Sequence, residues 1–271
     1  MKSAITISLV PEARGGPFVY WDGLERGAES AKQHGFDAIE VFPRSPEEIN
    51  GDQLAEVLAR TGLKLAAMGT GAGWVVHKLR LTDADPAIRA KAVQFAGGVV
   101  DLAGRFGAPA ILGSMQGRVE PGQSREQALG WLAEGVEALA ARAAQKGAQL
   151  FLEPLNRYET NVLVSVADSA AFVRSLKATN VKLLCDLFHL NIEEASIPDA
   201  LKCCGDLLGH VHFADSNRRA VGFGHTEYKS IIRTLREMGY QGYLSAEIFP
   251  LPDAETAAAQ TMKAFRELTA A

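Results

Sequence analysis

One unit of sequence recurs along this chain: a long amphipathic stretch, a glycine, and a short run that is apolar at nearly every position. It reads Gly35-Phe36-Asp37-Ala38-Ile39-Glu40-Val41-Phe42, then Gly62-Leu63-Lys64-Leu65-Ala66-Ala67-Met68. It returns at Gly107-Ala108-Pro109-Ala110-Ile111-Leu112, at Gly147-Ala148-Gln149-Leu150-Phe151-Leu152, and around Gly239 to Leu244. A glycine in the left-handed conformation ends a helix, and a strand follows. Strands that are apolar throughout, rather than alternating, are those buried on both faces of a parallel sheet.

Eight such strands are expected, near 4–10, 37–42, 63–69, 109–113, 148–153, 181–185, 209–213 and 243–247. The stretches between them carry helical spacing. Behind Asp85 and Pro86, a cap and a first helical residue, come Ile88, Ala92, Phe95, Val99, Leu102 and Phe106. Ser124 and Gln127 form a possible capping box before Leu129, Leu132, Val136, Leu139 and Ala143. No Pro/Ser-rich linker divides the units. The expectation is an α/β fold, a single (β/α)8 TIM barrel, with residues 1–271 as one domain. An open doubly wound sheet would carry a glycine-rich phosphate turn after its first strand. Here that loop holds Gly15-Gly16-Pro17 with no GxGxxG.

Composition narrows the function. A net charge of −4 gives no general attraction for nucleic acid or anionic membranes. No apolar run reaches the roughly 18 residues of a membrane span. The opening Met1 to Val10 reads as a strand, not a signal peptide. Three cysteines, Cys185, Cys203 and Cys204, are no disulfide framework, so the expected compartment is the cytoplasm.

In such barrels the C-terminal strand ends carry the chemistry. Leu152 is followed by Glu153, Cys185 by Asp186, Val211 by His212 and Ala246 by Glu247. Each is an ionisable residue at the end of an apolar strand, and in a closed barrel all four converge on one rim. Three carboxylates brought together unpaired repel one another or become protonated. A divalent cation resolves this, and oxygen-rich ligation with one nitrogen favours Mn²⁺, Mg²⁺ or Co²⁺.

The segments Leu152-Glu153-Pro154-Leu155-Asn156-Arg157-Tyr158-Glu159, Asp186-Leu187-Phe188-His189-Leu190-Asn191, His210 to Arg218 and Ser245-Ala246-Glu247 resemble the sugar isomerase/epimerase family. That family has a xylose-isomerase-like barrel. The resemblance is nearest to the ketose 3-epimerases of tagatose and psicose type, with hydroxypyruvate isomerases as relatives. It implies one divalent cation per chain, Mn²⁺ first, held by Glu153, Asp186, His212 and Glu247. It implies Glu153 and Glu247 as the acid/base pair acting on an open-chain ketose through a metal-stabilised enediolate. It places Glu159, His189 and Arg218 on substrate oxygens. It also implies a homo-oligomer, dimer or tetramer.

Other features point less directly. Trp21 and Trp74 are expected in loops, either as apolar walls or as core packing. Gln116 and Arg118 are placed to meet a carboxylate or phosphate. Gly222-Phe223-Gly224-His225 is a glycine-rich turn, either a phosphate cradle or a plain tight turn. Rival activities on this barrel are a dehydroshikimate dehydratase-type lyase, which would favour a substrate carboxylate near Arg118, and an endonuclease IV-like phosphodiesterase. The latter wants a histidine-rich multinuclear zinc cluster and a basic groove, and the chain has six histidines and an acidic balance. A non-catalytic sugar-binding barrel would not need Glu153 and Glu247 paired around a metal.

Overall fold

Eight parallel strands pair in chain order, and β8 closes on β1, in a computed structural model that describes residues 1–270. The strands are β1 (Lys2–Ser8), β2 (Ala38–Phe42), β3 (Lys64–Gly69), β4 (Ala110–Leu112), β5 (Leu150–Leu152), β6 (Val181–Asp186), β7 (Leu208–His212) and β8 (Tyr243–Ala246). The helices are α1 (Leu24–His34), α2 (Gly51–Thr61), α3 (Ala72–Val75), α4 (Pro86–Gly104), α5 (Arg125–Ala144), α6 (Val166–Ser175), α7 (Leu187–Glu193), α8 (Ile197–Cys204), α9 (Tyr228–Glu237) and α10 (Ala254–Thr269). The fold is the expected (β/α)8 barrel. The short α3 and the α7–α8 pair are additions to one helix per unit. The first strand ends at Ser8 rather than residue 10, because Pro11 opens a 3-10 turn that takes the chain out of the sheet.

Helix ends follow the local chemistry. Asp85 Oδ1 accepts from Ala87 N, and Ser124 Oγ accepts from Gln127 N, so both expected caps are in place. Gly35 and Gly62 cap α1 and α2 directly at φ 83° and 77°. Gly107 and Gly147, also at positive φ, lie one turn past α4 and α5 and redirect the chain into the next strand.

The two strand faces pack differently. Ile5, Ile7, Ile39, Val41, Leu150, Leu152, Leu183, Cys185, Val211 and Leu244 face the helices and form one large buried core with them. Alternate residues point into the barrel. There Ala67, Ile111, Phe151 and Leu184 form a separate plug, and Ala4, Ala38 and Ala66 a second cluster. The same alternation sets Glu153, Asp186, His212 and Glu247 one pleat beyond Phe151, Leu184, His210 and Ser245. The plug forms the floor beneath the strand ends.

Candidate functional site

The barrel brings Glu153, Asp186, His212 and Glu247 together, all buried, with one donor atom from each within 4.8 Å of the others. His212 Nδ1 lies 3.5 Å from Glu153 Oε1, 3.5 Å from Asp186 Oδ2 and 3.4 Å from Glu247 Oε2. Asp186 divides its oxygens: Oδ1 caps α7 by accepting from Phe188 N at 2.8 Å, which leaves Oδ2 for the site. Gln116 donates to the Glu153 carbonyl at 3.0 Å and accepts from Leu163 N at 3.1 Å. With both its polar atoms engaged and the side chain buried, that amide is not the substrate contact its position in sequence suggests. At Gly113 a Cβ would sit 2.5 Å from Glu153 Oε2, so only glycine leaves the carboxylate its place.

Electrostatics is unbalanced here. Burial pushes the Glu153 carboxyl up to about 8, against the pull of His212 and with Glu247 and Asp186 adding to the rise. Burial works the same way on Asp186, but Arg218, His189 and His212 outweigh it and hold that carboxyl low. His212 goes the opposite way. Burial disfavours its charged form, yet Glu247 and Glu40 raise it well above the usual imidazole range. Glu153 Oε1 and His212 Nδ1 have no hydrogen-bond partner although buried. Buried polar atoms are rarely left so. A hard divalent cation fits this set of three carboxylates and one imidazole nitrogen, and the two unpartnered atoms are those it would engage.

The three residues expected around the substrate lie against this cluster. Arg218 Nη2 is 3.1 Å from Asp186 Oδ2 and also pairs with Glu247, while Nη1 is 3.7 Å from Glu159 Oε1. Its guanidinium covers the Phe188 ring at 4.8 Å. Its backbone is left-handed, φ 56°, held by Asp215 and Phe249. His189 Nε2 is 3.6 Å from Asp186 Oδ2 and 3.9 Å from Glu153 Oε1. Burial lowers its pKa, so the neutral ring is favoured. Asn156, which the sequence reading passed over, donates to His189 Nδ1 at 2.7 Å and to Glu159 at 2.9 Å. Its own oxygen accepts from Tyr158 N, which fixes the amide orientation. His189 Nδ1 is therefore the acceptor, and Nε2 presents its hydrogen to the site.

A cavity of about 780 Å³ opens over the cluster. Phe18, Trp74, Leu155, Phe188 and Phe249 give it apolar walls, and Arg118 also lines it. Trp21 does not line it. That ring packs edge-on behind Phe18, with its indole N–H on the Phe18 carbonyl at 2.7 Å. The long loop after β1 contributes Phe18 instead. The glycine-rich turn is a tight turn around an internal anion. Gly222 and Gly224 N–H donate to Asp215 Oδ2, and Thr226 and Ser216 N–H to Oδ1. With its amides on Asp215, the turn offers no cradle to a substrate phosphate.

Glu40 and His210 were not assigned a role from sequence. Glu40 is a carboxylate in an otherwise apolar β2, and its two oxygens meet His210 Nε2 at 2.7 Å and His212 Nε2 at 3.0 Å. A charge inside a buried strand and a second histidine two residues before His212 were the available signals.

Residues 28–268 match the xylose isomerase-like TIM barrel family. The chain belongs to that family. It is 32% identical over 242 residues to a D-psicose 3-epimerase of Agrobacterium fabrum, covering 88% of this chain and 80% of that protein. It is 30% identical over 226 residues to a 3-dehydro-D-guloside 4-epimerase of Escherichia coli, covering 80% and 83%. A crystal structure of D-allulose 3-epimerase from Methylomonas sp. superposes with a TM-score of 0.84 over 98% of each chain, at 24% identity, and shares the fold. These relatives are epimerases, and this chain is an enzyme of the epimerase/isomerase class. No helix among the described residues is long and apolar enough to cross a membrane.

Proposed function

We propose that this chain is a metal-dependent epimerase or isomerase of an open-chain ketose or related small sugar, moving a proton on a carbon beside the carbonyl. The observation that carries this reading is the pair Glu153 and Glu247. They come from the ends of β5 and β8 and flank a point where His212 Nδ1 and Glu153 Oε1 lack partners. Sugar epimerase relatives over most of the chain support it.

Glu153, Asp186, His212 and Glu247 would hold one divalent cation, Mn²⁺ first by donor type, with Mg²⁺ or Co²⁺ as alternatives. When bound, it supplies Lewis-acid stabilisation of the charge left on the carbonyl oxygen as the proton departs. The side chains do the rest. One glutamate, as carboxylate, removes the proton from carbon. The other, as carboxylic acid, delivers a proton to the opposite face. Delivery to the same carbon inverts it, and delivery to its neighbour gives aldose–ketose isomerisation. His189 Nε2–H and Arg218 donate to substrate oxygens, and Glu159 accepts from a hydroxyl. The walls of Phe18, Trp74 and Phe249 keep bulk water from the reacting carbon. The proposal includes a single functional domain, a cytoplasmic location and a homo-oligomer. Mass photometry showing monomer alone overturns the last part without touching the site.

The test is a panel of ketoses, aldoses, sugar acids and phosphates incubated with Mn²⁺-loaded enzyme in D₂O. Deuterium on a carbon next to the carbonyl of the turned-over sugar supports the reading. Turnover without solvent deuterium, or undiminished after EDTA strips all metal, refutes it. Arg118 on the cavity wall is the reason to include the acids.

A further inference from the structure

The Glu40 carboxylate is fully buried in the barrel and touches neither the cavity nor the cluster oxygens. It reaches across the barrel interior from β2 to β7, one oxygen to each of two histidine rings. A carboxylate only accepts, so both rings present N–H at Nε2. For His212 that choice decides the other end of the ring. In the neutral ring a proton on Nε2 leaves the lone pair on Nδ1, and Nδ1 is the atom 3.4–3.5 Å from the three cluster carboxylates.

We propose that Glu40 is a positioning residue that fixes the tautomer and tilt of His212 and so delivers a bare Nδ1 to the Glu153–Asp186–Glu247 cluster. The inference rests on the reading of that cluster as a cation site. His210 completes the device. Its Nε2–H occupies the second Glu40 oxygen at 2.7 Å, and its ring lies stacked on Phe151, centroids 5.6 Å apart. Phe151 belongs to the apolar plug, so the carboxylate is tied to the packed floor of the barrel. Metal-bound histidines generally use their second nitrogen in this way, and removing the outer partner lowers metal affinity about 10–100-fold. Glu40, His210 and His212 also have donors close enough to hold a second cation. Their hydrogen bonds already use both carboxylate oxygens and both Nε2 atoms, which argues for one cation per chain.

Two measurements test this without relying on turnover. The first uses wild-type protein loaded with diamagnetic Mg²⁺ and labelled with ¹⁵N-histidine. His212 should show a protonated, slowly exchanging Nε2 and an unprotonated Nδ1; a proton on Nδ1 overturns the proposal. The second is Mn²⁺ titration calorimetry on wild type and Glu40→Gln. Glutamine can accept from only one of the two rings and offers an N–H to the other, so the Nε2–H tautomer of His212 is no longer enforced. Affinity should fall about 10–100-fold with stoichiometry one in wild type. A purely structural role would lower the melting temperature of the metal-free variant and leave the affinity of folded protein within twofold, overturning the inference. Two cations in wild type and one in Glu40→Gln would overturn it too. If wild type itself binds no Mn²⁺, Mg²⁺ or Co²⁺, the cluster reading fails first and this inference with it. Should Glu40→Gln not fold, the wild-type spectrum decides alone.

Discussion

His212 stands between two clusters of similar composition. On its Nε2 side, Glu40 and His210 form a closed set in which each carboxylate oxygen meets one ring N–H. On its Nδ1 side, Glu153, Asp186 and Glu247 supply more negative charge than Arg218 offsets, and two buried atoms have no partner. Burial raises Glu153, whereas at Glu40 the two histidines overcome burial and hold the carboxyl below its ordinary range. The difference teaches how to separate structural from functional polarity inside one barrel. A polar group whose partners complete each other holds the fold, and one left incomplete has room for a guest.

The comparison can be broken first on the open side. Glu153→Gln and Glu247→Gln each should lower turnover by about 10²–10⁴-fold, the worth of a positioned acid or base. Asp186→Asn and His212→Ala should instead abolish the rise in melting temperature that Mn²⁺ gives wild type. At a hundredfold excess over Kd, that rise corresponds to about 2.7 kcal/mol. If both glutamine variants keep near-normal turnover with metal bound, the pair are ligands only, and His189 becomes the base to examine.

The closed side should fail in stability. Phe151→Ala removes the ring beneath His210 and should cost about 3–5 kcal/mol in denaturant unfolding of the metal-free protein. A loss under 1 kcal/mol would mean the plug does not support the cluster. A subtler change sharpens the boundary between the two sets. Gly113→Ala places a methyl group against Glu153 Oε2 and should cut turnover by up to about 10²-fold, as a displacement of the order of 1 Å does. Its effect on unfolding should be much smaller.

The smallest effect belongs to another closed set, the turn around Asp215. Burial opposes ionisation there, but the N–H groups of Thr226, Ser216, Gly222 and Gly224 outweigh it and lower the carboxyl. A lowered folded-state value gives stability that is complete above the unfolded value and lost as pH falls through the folded one. Wild type should therefore lose this contribution below about pH 3.8, and Asp215→Asn should be less acid-sensitive while melting lower at neutral pH. Melting curves from pH 7 to pH 2 check the sign.

Much of this was legible in the chain. The strands were readable because an apolar run marks each one and a glycine marks most helix-to-strand passages, though not that from α6 to β6. Glu153, Asp186, His212 and Glu247 were readable because each follows directly on an apolar strand, as at Cys185-Asp186. Glu40 was not, because its partners are 170 and 172 residues away and only barrel closure brings them together. Gln116 was misread, and Trp21 was left open between wall and packing, for a related reason. Composition shows that a side chain has polar or aromatic character, but not that Leu163 and the Phe18 carbonyl have already engaged it. The glycine-rich turn could be read as a cradle or as a tight turn, and Asp215 filling it decides for the tight turn.

Arg218 carries a last consequence. Its left-handed backbone is clasped on both sides, its N–H on the Asp215 carbonyl at 2.7 Å and its own carbonyl receiving Phe249 N–H at 2.8 Å. The loops after β7 and β8 are thus stitched together at this residue, and the guanidinium is ordered against Asp186 and Glu247 before any sugar arrives. Immobilising an arginine side chain takes up to about 1.5–2 kcal/mol of rotamer entropy. Here that loss occurs during folding, so a ligand meets a fixed charge and no longer has to freeze it. Affinity at this position is in that sense a property written into the stability of two loops.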